Sequence, residues 1–553
     1  MRYLSSGAAS SQAARIRRSR SLNPVGVYAY SMRGAIAAGH PLTAEAGARV
    51  LAEGGCAVDA CIAAAFASWV AESILTGPGA GGFFLVHDAG SGRTRLADFF
   101  VCEPGLGQGR RAGASMEQVD VAFQPDSLQA FSIGAASCAV PGASKGLEEV
   151  HRRFGKLPWH ELIAPAIELA QRGIEITPAQ DFLHLILDPI LRHSAEGRRV
   201  YGLEGRRYQT GDVLQLPDLA GTLEQLAAEG SGALYGGDLG RLLVEHIQDE
   251  GGKLTLEDIE RYRVVWRRLV RSSYRGCEFV SNPPPSSGGT LVAYGLRLLD
   301  ELGEGGAPGS SEALARLIEV MREQTRARSG RSYCSYLHRG GLAARLLSDD
   351  SVREAVARVR WSAPGEPEPG RPTGTTHISV VDSCGNAASL TCSLGSSSGV
   401  IVPGTGIHLN NMLGEDDLVS GTERPAERLT SMMAPSIVFA HGRPRLVLGS
   451  AGSVRLRGAI MQTVVNVIGH GLPVEEAVTR PRVHLDEPIV QCEGGDDIDL
   501  AVLDRLEALG YELARWRDRN LFFGGVSAVE VRAEDLRLRP ERHRRGGHGL
   551  VVA

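Results

Sequence analysis

Apolar and polar positions divide the chain into segments of two different periods. From Thr43 to Glu53 alanine, valine and leucine recur at helical spacing, His40-Pro41 precedes them, and Gly54-Gly55 supplies the left-handed stop that helix ends favour. Val58 to about Ile74 is apolar nearly all round, which predicts a helix inside the body rather than on its surface. Further helices are predicted over 143–153, 159–172 and 287–303. Thr255-Leu-Glu-Asp258 reads as a capping box, with Asp in the Glu position, that opens another short helix.

The period changes after residue 374. Trp361 to Gly374 holds four prolines and three glycines in fourteen residues, a composition that sustains neither helix nor central strand and predicts an exposed linker. Thr375 to Val381 is then β-branched and partly alternating. Asp382-Ser-Cys-Gly-Asn386 provides turn chemistry, and Ala387 to Leu394 reads as a second strand, so the segment predicts a hairpin. A flexible leader thus feeds a threonine at the first position of a buried strand. No internal repeat is evident.

Composition narrows the function classes. With 553 residues, 43% apolar and 22% charged, the chain has ample material for a large core and is not disordered throughout. Its formal charge of −5 offers no field to attract nucleic acid or an anionic membrane, and neither is expected as a partner. Only Lys145, Lys156 and Lys253 are lysines; the other cations are arginines without an interleaved aromatic pattern. Nine cysteines, odd in number and without CxxC spacing, indicate neither a disulfide framework nor a zinc site, so no metal and no cofactor is expected. The longest apolar run, Ala60 to Ala71, is broken by Ser68 and falls short of the roughly 20 residues that cross a bilayer. Residues 1–25 carry several arginines and no acid, yet lack the continuous apolar stretch of a secretory signal. They are expected to be a disordered tail, with a cytoplasmic location favoured.

Three motifs could carry chemistry. Gly77-Pro-Gly-Ala-Gly-Gly82 satisfies GxGxxG but follows a helix and leads into Phe83-Phe-Leu-Val86, the reverse of the order that cradles phosphate. Gly395-Ser-Ser-Ser-Gly399 satisfies GxSxG, but the extended Val400-Ile-Val-Pro403 follows it, so no strand-to-helix elbow forms. Gly374-Thr375-Thr376 is the third. A threonine hydroxyl needs a base within hydrogen-bond reach, and its own α-amine, freed by cleavage before it, lies at that reach with a pKa of about 7.7–8.0. Gly374, without a Cβ, allows close approach of the Thr375 hydroxyl to its carbonyl.

Taken alone, that tripeptide would be an ordinary strand start. From about Ala35 onward, however, the chain resembles the γ-glutamyltranspeptidase family of N-terminal-nucleophile hydrolases. The resemblance is carried by Thr375-Thr-His-Ile-Ser-Val-Val-Asp382, Ser281-Asn-Pro-Pro-Pro-Ser-Ser-Gly-Gly289, Pro403-Gly-Thr-Gly-Ile-His-Leu-Asn-Asn411, Gly54 to Ala60, Gly77 to Phe83, Leu162 to Ala166 and Arg480-Pro-Arg482, all in order. It implies an α+β fold, a four-layer αββα sandwich. It also implies a proenzyme that cuts itself between Gly374 and Thr375 into a large subunit, 26–374 beyond the tail, and a small one, 375–553, intertwined in one body.

By the same resemblance Thr375 is the nucleophile, Ser393 holds its oxygen in place of the family's usual threonine, and Ala451 and Gly452 supply the oxyanion donors. Thr430 and Ser431 match the hydroxyls that hold the donor's α-carboxylate. An acid of Glu415-Asp-Asp417 meets its α-ammonium, with Asp417 preferred and Glu415 the alternative. Three positions depart from the pattern: Phe100 stands where the family has the arginine that pairs the carboxylate, Gly395 replaces an asparagine, and Met412 replaces a polar residue. The implied activity is γ-glutamyl transfer or hydrolysis on glutathione-like amides, with water or an amino acid or peptide as acceptor. An acylase of other side-chain amides, as cephalosporin acylases are, and an uncleaved inactive relative are the alternatives.

Overall fold

The structure is a computed structural model that describes residues 16–18, 33–107, 115–124, 127–329, 333–338, 341–359, 374–415, 418–419, 423–452, 455–495, 498–532, 535–540 and 547–552. Two antiparallel sheets lie face to face. The larger runs, in spatial order, Ile16–Arg18, His548–Val552, Gly34–Ala38, Gly374–Asp382, Ala387–Gly395, Gly81–Asp88, Arg93–Phe99 and Val265–Arg267. The smaller runs Val270–Tyr274, Cys277–Ser281, Ser436–Ala440, Arg443–Ala451, Gly525–Arg532 and Asp535–Pro540.

Helices Pro41–Ala52 and Ala57–Ala71 cover the outer face of the larger sheet; Gly288–Leu302 and Leu456–Val464 cover that of the smaller. This is the expected αββα sandwich, and each of its three interlayer spaces has its own apolar core. Period-two alternation sorts the central hairpin between them: Ile378, Val380, Ala388 and Leu390 face the helices, whereas Val381 and Ala387 face the other sheet. Both strands are buried along their whole length, as strands sandwiched on two sides must be.

The helix Ala57–Ala71 is buried at every position, which explains why its sequence lacks a polar face. The capping box at Thr255 opens Leu256–Arg261 as its sequence predicts, with the Asp258 backbone N–H donating to Thr255 Oγ1 at 3.1 Å. Gly54, at φ +92°, takes the left-handed conformation at the end of the first helix. Of residues 1–25 only Ile16–Arg18 is described, and it pairs with His548–Val552 as an edge strand. Unpaired edge N–H and C=O groups of the C-terminal strand recruit it. The predicted Pro-rich linker lies outside the described residues except for Gly374. Among the described residues no helix is long and apolar enough to cross a membrane.

Polar side chains also cross the space between the sheets. The buried ring of His377 accepts at Nδ1 from Thr391 Oγ1, 2.8 Å, and lies 2.9 Å from Ser379 Oγ at Nε2. The single Ser379 O–H donates to the Ser527 carbonyl, 3.1 Å, so Nε2 carries the ring proton. Burial pushes the His377 pKa down to about 3, and the ring is neutral at physiological pH. Gly449 of the facing sheet packs flat on this ring, and a Cβ there would run into it. Gly449→Ala should therefore destabilise the protein by about 1–3 kcal/mol. A lowered urea midpoint at unchanged slope checks this.

Candidate active site

The hairpin that begins at Gly374 does not pair regularly. Gly374 lies opposite Gly395 and Thr376 opposite Cys392, so Thr375 falls in a bulge against Ser393 and Leu394. Bulges re-aim side chains; here the result is a compact set of hydroxyl contacts. Thr375 Oγ1 donates to Ser393 Oγ at 3.4 Å, the Gly395 N–H donates to the same oxygen at 2.8 Å, and the Ser393 O–H donates to the Gly374 carbonyl. A serine hydroxyl has one proton to give, and in the uncut chain it is given to the carbonyl of the Gly374–Thr375 peptide. The atoms involved are buried: Thr375 is 2% exposed and Ser393 1%.

Gly374 has no room for a side chain, since a Cβ would sit 2.8 Å from the Gly395 carbonyl and 2.9 Å from Leu75. Gly395, at φ +72°, is constrained twice, by its backbone and because a Cβ would overlap Asn411 Oδ1. Asn411 and Glu415 occupy the space that a side chain at position 395 would need. Asn411 Oδ1 accepts from the Ser396 N–H at 2.9 Å and its Nδ2 donates to Ser396 Oγ at 2.8 Å. Glu415 Oε1 accepts from the Ser396 N–H at 3.1 Å and from its hydroxyl at 2.5 Å.

A small pocket opens beside this set. Thr375, Ser393, Gly395, Glu415 and Ser431 give it polar atoms, and Met412, Leu418, Met432, Met433 and Leu456 give it apolar ones. Ala451 is not in this lining but shares a second small cleft with Thr375, Thr376, Gly39 and Glu72. Gly452 follows it at φ +126°, a conformation that glycine tolerates and other residues resist.

The remaining predicted residues divide. Ser431 lines the pocket, and its Oγ accepts from the Met433 N–H at 3.0 Å. Thr430 is not among the lining residues; its hydroxyl donates to the Leu418 carbonyl at 2.9 Å. Phe100 also stands outside the lining, fully buried between the sheets, stacked on Phe83 at 5.5 Å in the same apolar cluster as Met412 and Met433. Arg428 belongs to the framework: it pairs with buried Asp98 at 3.2 Å and donates to the carbonyls of Phe100 at 2.5 Å and Arg263 at 2.8 Å. Burial opposes its charge, but Asp98 outweighs this and holds the Arg428 pKa above its ordinary value. Asp417 lies outside the described residues.

Glu72 is the residue that sequence reasoning missed. It ends the buried helix Ala57–Ala71, is 6% exposed, and accepts from Thr43 Oγ1 at 2.8 Å and Thr376 Oγ1 at 2.6 Å. It therefore clamps the residue next to Thr375 from the helix side of the sheet. The available signal was a second charge, besides Asp59, in an otherwise apolar stretch, because carboxylates are almost never buried unless paired.

A family model described as gamma-glutamyltranspeptidase matches residues 43–551. The chain is 33% identical over 524 residues to the acylase ACY 1 proenzyme of Pseudomonas sp. (strain SE83), covering 90% of this chain and 89% of that protein. It is 32% identical over 546 residues to a glutathione hydrolase proenzyme of Pseudomonas aeruginosa, covering 94% of each. Among solved structures, a cephalosporin acylase from Bacillus halodurans has the same fold, with a TM-score of 0.80 at 23% identity over 96% of this chain and 98% of that one.

The hydroxyl geometry predicts how variants of the uncut chain behave. Thr375→Ala should remain one 58.8 kDa band on denaturing electrophoresis, and Thr375→Ser should cleave slowly. Ser393→Ala, which removes the donor to the Gly374 carbonyl, should slow cleavage by about 100-fold or more, as loss of an oxyanion donor does. Time courses of band conversion with N-terminal sequencing of the product check all three.

Proposed function

This chain belongs to the γ-glutamyltranspeptidase family, and we propose that Thr375, freed by cleavage of the Gly374–Thr375 bond, is the nucleophile with which it hydrolyses γ-glutamyl and related amides or transfers their acyl group. The observation that carries this reading is the Ser393 hydroxyl directed at the Gly374 carbonyl, with Thr375 Oγ1 3.4 Å from Ser393 Oγ. In self-cleavage, Thr375 Oγ adds to the Gly374 carbonyl carbon and Ser393 stabilises the oxygen that becomes negative. The C–N bond then breaks, nitrogen takes up the hydroxyl proton, and an ester links Gly374 to Thr375. Water hydrolyses that ester, leaving a carboxylate on Gly374 and a free amine on Thr375.

The two subunits stay together because the new N-terminal strand, Gly374–Asp382 in the precursor, pairs on one side with Gly34–Ala38 of the large subunit and on the other with its own hairpin partner. In turnover the freed amine takes the Thr375 hydroxyl proton as Oγ attacks the substrate's amide carbon. Ala451 and Gly452 are the oxyanion donors in this reading, supported by the cleft that Ala451 shares with Thr375. The departing amine receives the proton, and water or the amine of an amino acid or peptide then attacks the Thr375 ester.

One observation favours a second donor class beside γ-glutamyl compounds: Phe100 fills the intersheet core where the family places its carboxylate-pairing arginine. Other side-chain amides, of the kind an acylase takes, therefore belong in the same assay. Processed protein should release nitroaniline from γ-glutamyl-p-nitroanilide, faster when a dipeptide acceptor is added, with Thr375→Ala lower by at least about 10³-fold. Glutaryl and adipyl amides measured alongside identify the better acyl group. Processed material inert toward all of them would overturn the reading.

A further inference from the structure

Cleavage leaves the nucleophile at a strand end that has a neighbour on one side only. Among the described residues the ladder with Gly34–Ala38 begins at Ser379, opposite Ala37, so Thr376 to Ile378 pair with the hairpin strand Ala387–Gly395 alone. In the uncut chain Gly374, opposite Gly395, holds Thr375 from the other side of the bulge. Once the Gly374–Thr375 bond is broken, Thr376 is the first paired residue, and the new N-terminus hangs from it by one peptide bond. Chain ends are poorly ordered unless they are tied down.

Glu72 supplies a tie at this point. Beyond Ala38 the neighbouring chain turns through Gly39 and His40 into the helix Pro41–Ala52. Glu72 bridges Thr43 of that helix to Thr376, accepting from Oγ1 of the first at 2.8 Å and of the second at 2.6 Å. Gly39 makes room for the contact, since a Cβ there would overlap Glu72 Oε2 and sit 3.1 Å from Thr376 Oγ1. Helix stability does not account for this carboxylate: at the C-terminal end of Ala57–Ala71 it opposes the helix dipole, and burial adds a desolvation cost. Glu72 and Thr376 also line one cleft with Thr375 and Ala451. We propose that Glu72 is a positioning residue for turnover: through Thr376 it holds the freed Thr375 so that its amine stays at its own Oγ while that oxygen stays beside Ser393. The inference rests on Thr375 being the nucleophile.

The test measures the processing rate, and then kcat and KM of processed protein with whichever of the γ-glutamyl, glutaryl and adipyl p-nitroanilides the parent cleaves fastest. The tie matters most after cleavage. Glu72→Ala and Thr376→Val should therefore slow processing by no more than about 3-fold yet lower kcat by about 10-fold or more at a KM within about 2-fold, because small misplacements of reacting groups are costly. Thr376→Ser, which keeps the hydroxyl, should recover most of the loss. Glu72→Ala combined with Thr376→Val should cost little more than either alone, the mark of one shared interaction. Where Glu72→Ala does not fold, the Thr376 pair carries the test. Unchanged kcat in Thr376→Val, a loss confined to KM, processing slowed as much as turnover, additive losses, or Thr376→Ser as slow as Thr376→Val would overturn the proposal.

Hydrogen exchange reads the tie without turnover, since protection falls as local opening becomes easier. In processed protein the segment 375–381 should exchange about 10-fold faster in Thr376→Val than in Thr376→Ser. That difference, in protein that cleaves none of the anilides, would refute the amidohydrolase reading and uphold the tie. Equal exchange in the two variants would refute the tie whatever the rates.

Discussion

One hydroxyl contact organises the centre of this molecule. Ser393 donates to the Gly374 carbonyl and receives Thr375 Oγ1 and the Gly395 N–H, an arrangement available only because the hairpin slips by a residue between Gly374 and Thr376. In a regular ladder, the strand's period of two would dictate which face Thr375 takes and where its backbone carbonyl points. The bulge lets Thr375 and Ser393 meet while Thr376 turns to the helices and is held there by Glu72. Glycines at 374 and 395 are what the slip needs, one for close approach to the opposite strand and one for a left-handed backbone.

The surrounding layers keep that slip in one geometry. The space between the sheets is not purely apolar: His377, Thr391 and Ser379 form a linked polar row that reaches the facing sheet at Ser527, and Gly449 packs against the ring. A fully bonded buried network specifies one register, because any shift strands its polar atoms without partners. On the helix side the Glu72 carboxylate ties Thr376 to Thr43, so both faces of the strand that carries Thr375 are anchored by hydrogen bonds.

The pocket beside Thr375 is built differently from this set of hydroxyls. Around Thr375 the Ser393 hydroxyl and the Gly395 N–H lie within hydrogen-bonding range of one another. Three methionines form the pocket's wall, Phe100 lies in the core behind Met412 and Met433, and Glu415 with Asn411 fills the volume above Gly395. Methionine side chains adapt to irregular shapes, so this wall can follow the outline of what it packs against.

Much was legible in the sequence because it depends on short-range rules. The all-round apolar run from Val58, the capping box at Thr255 and the alternation after Gly374 each predict elements that form within a few residues of the expected bounds, since period and capping are local properties of the chain. Ordered motifs likewise mark Thr375 as the candidate nucleophile. Tertiary structure alone decided the rest. That Ser393 points at Gly374, that Thr430 turns its hydroxyl to Leu418 while Ser431 faces the pocket, that Phe100 is core, and that Glu72 reaches Thr376 across 304 positions of sequence all depend on which segments the sandwich brings together. Local patterning cannot encode such distances, because a side chain's partner is set by strand register and layer packing.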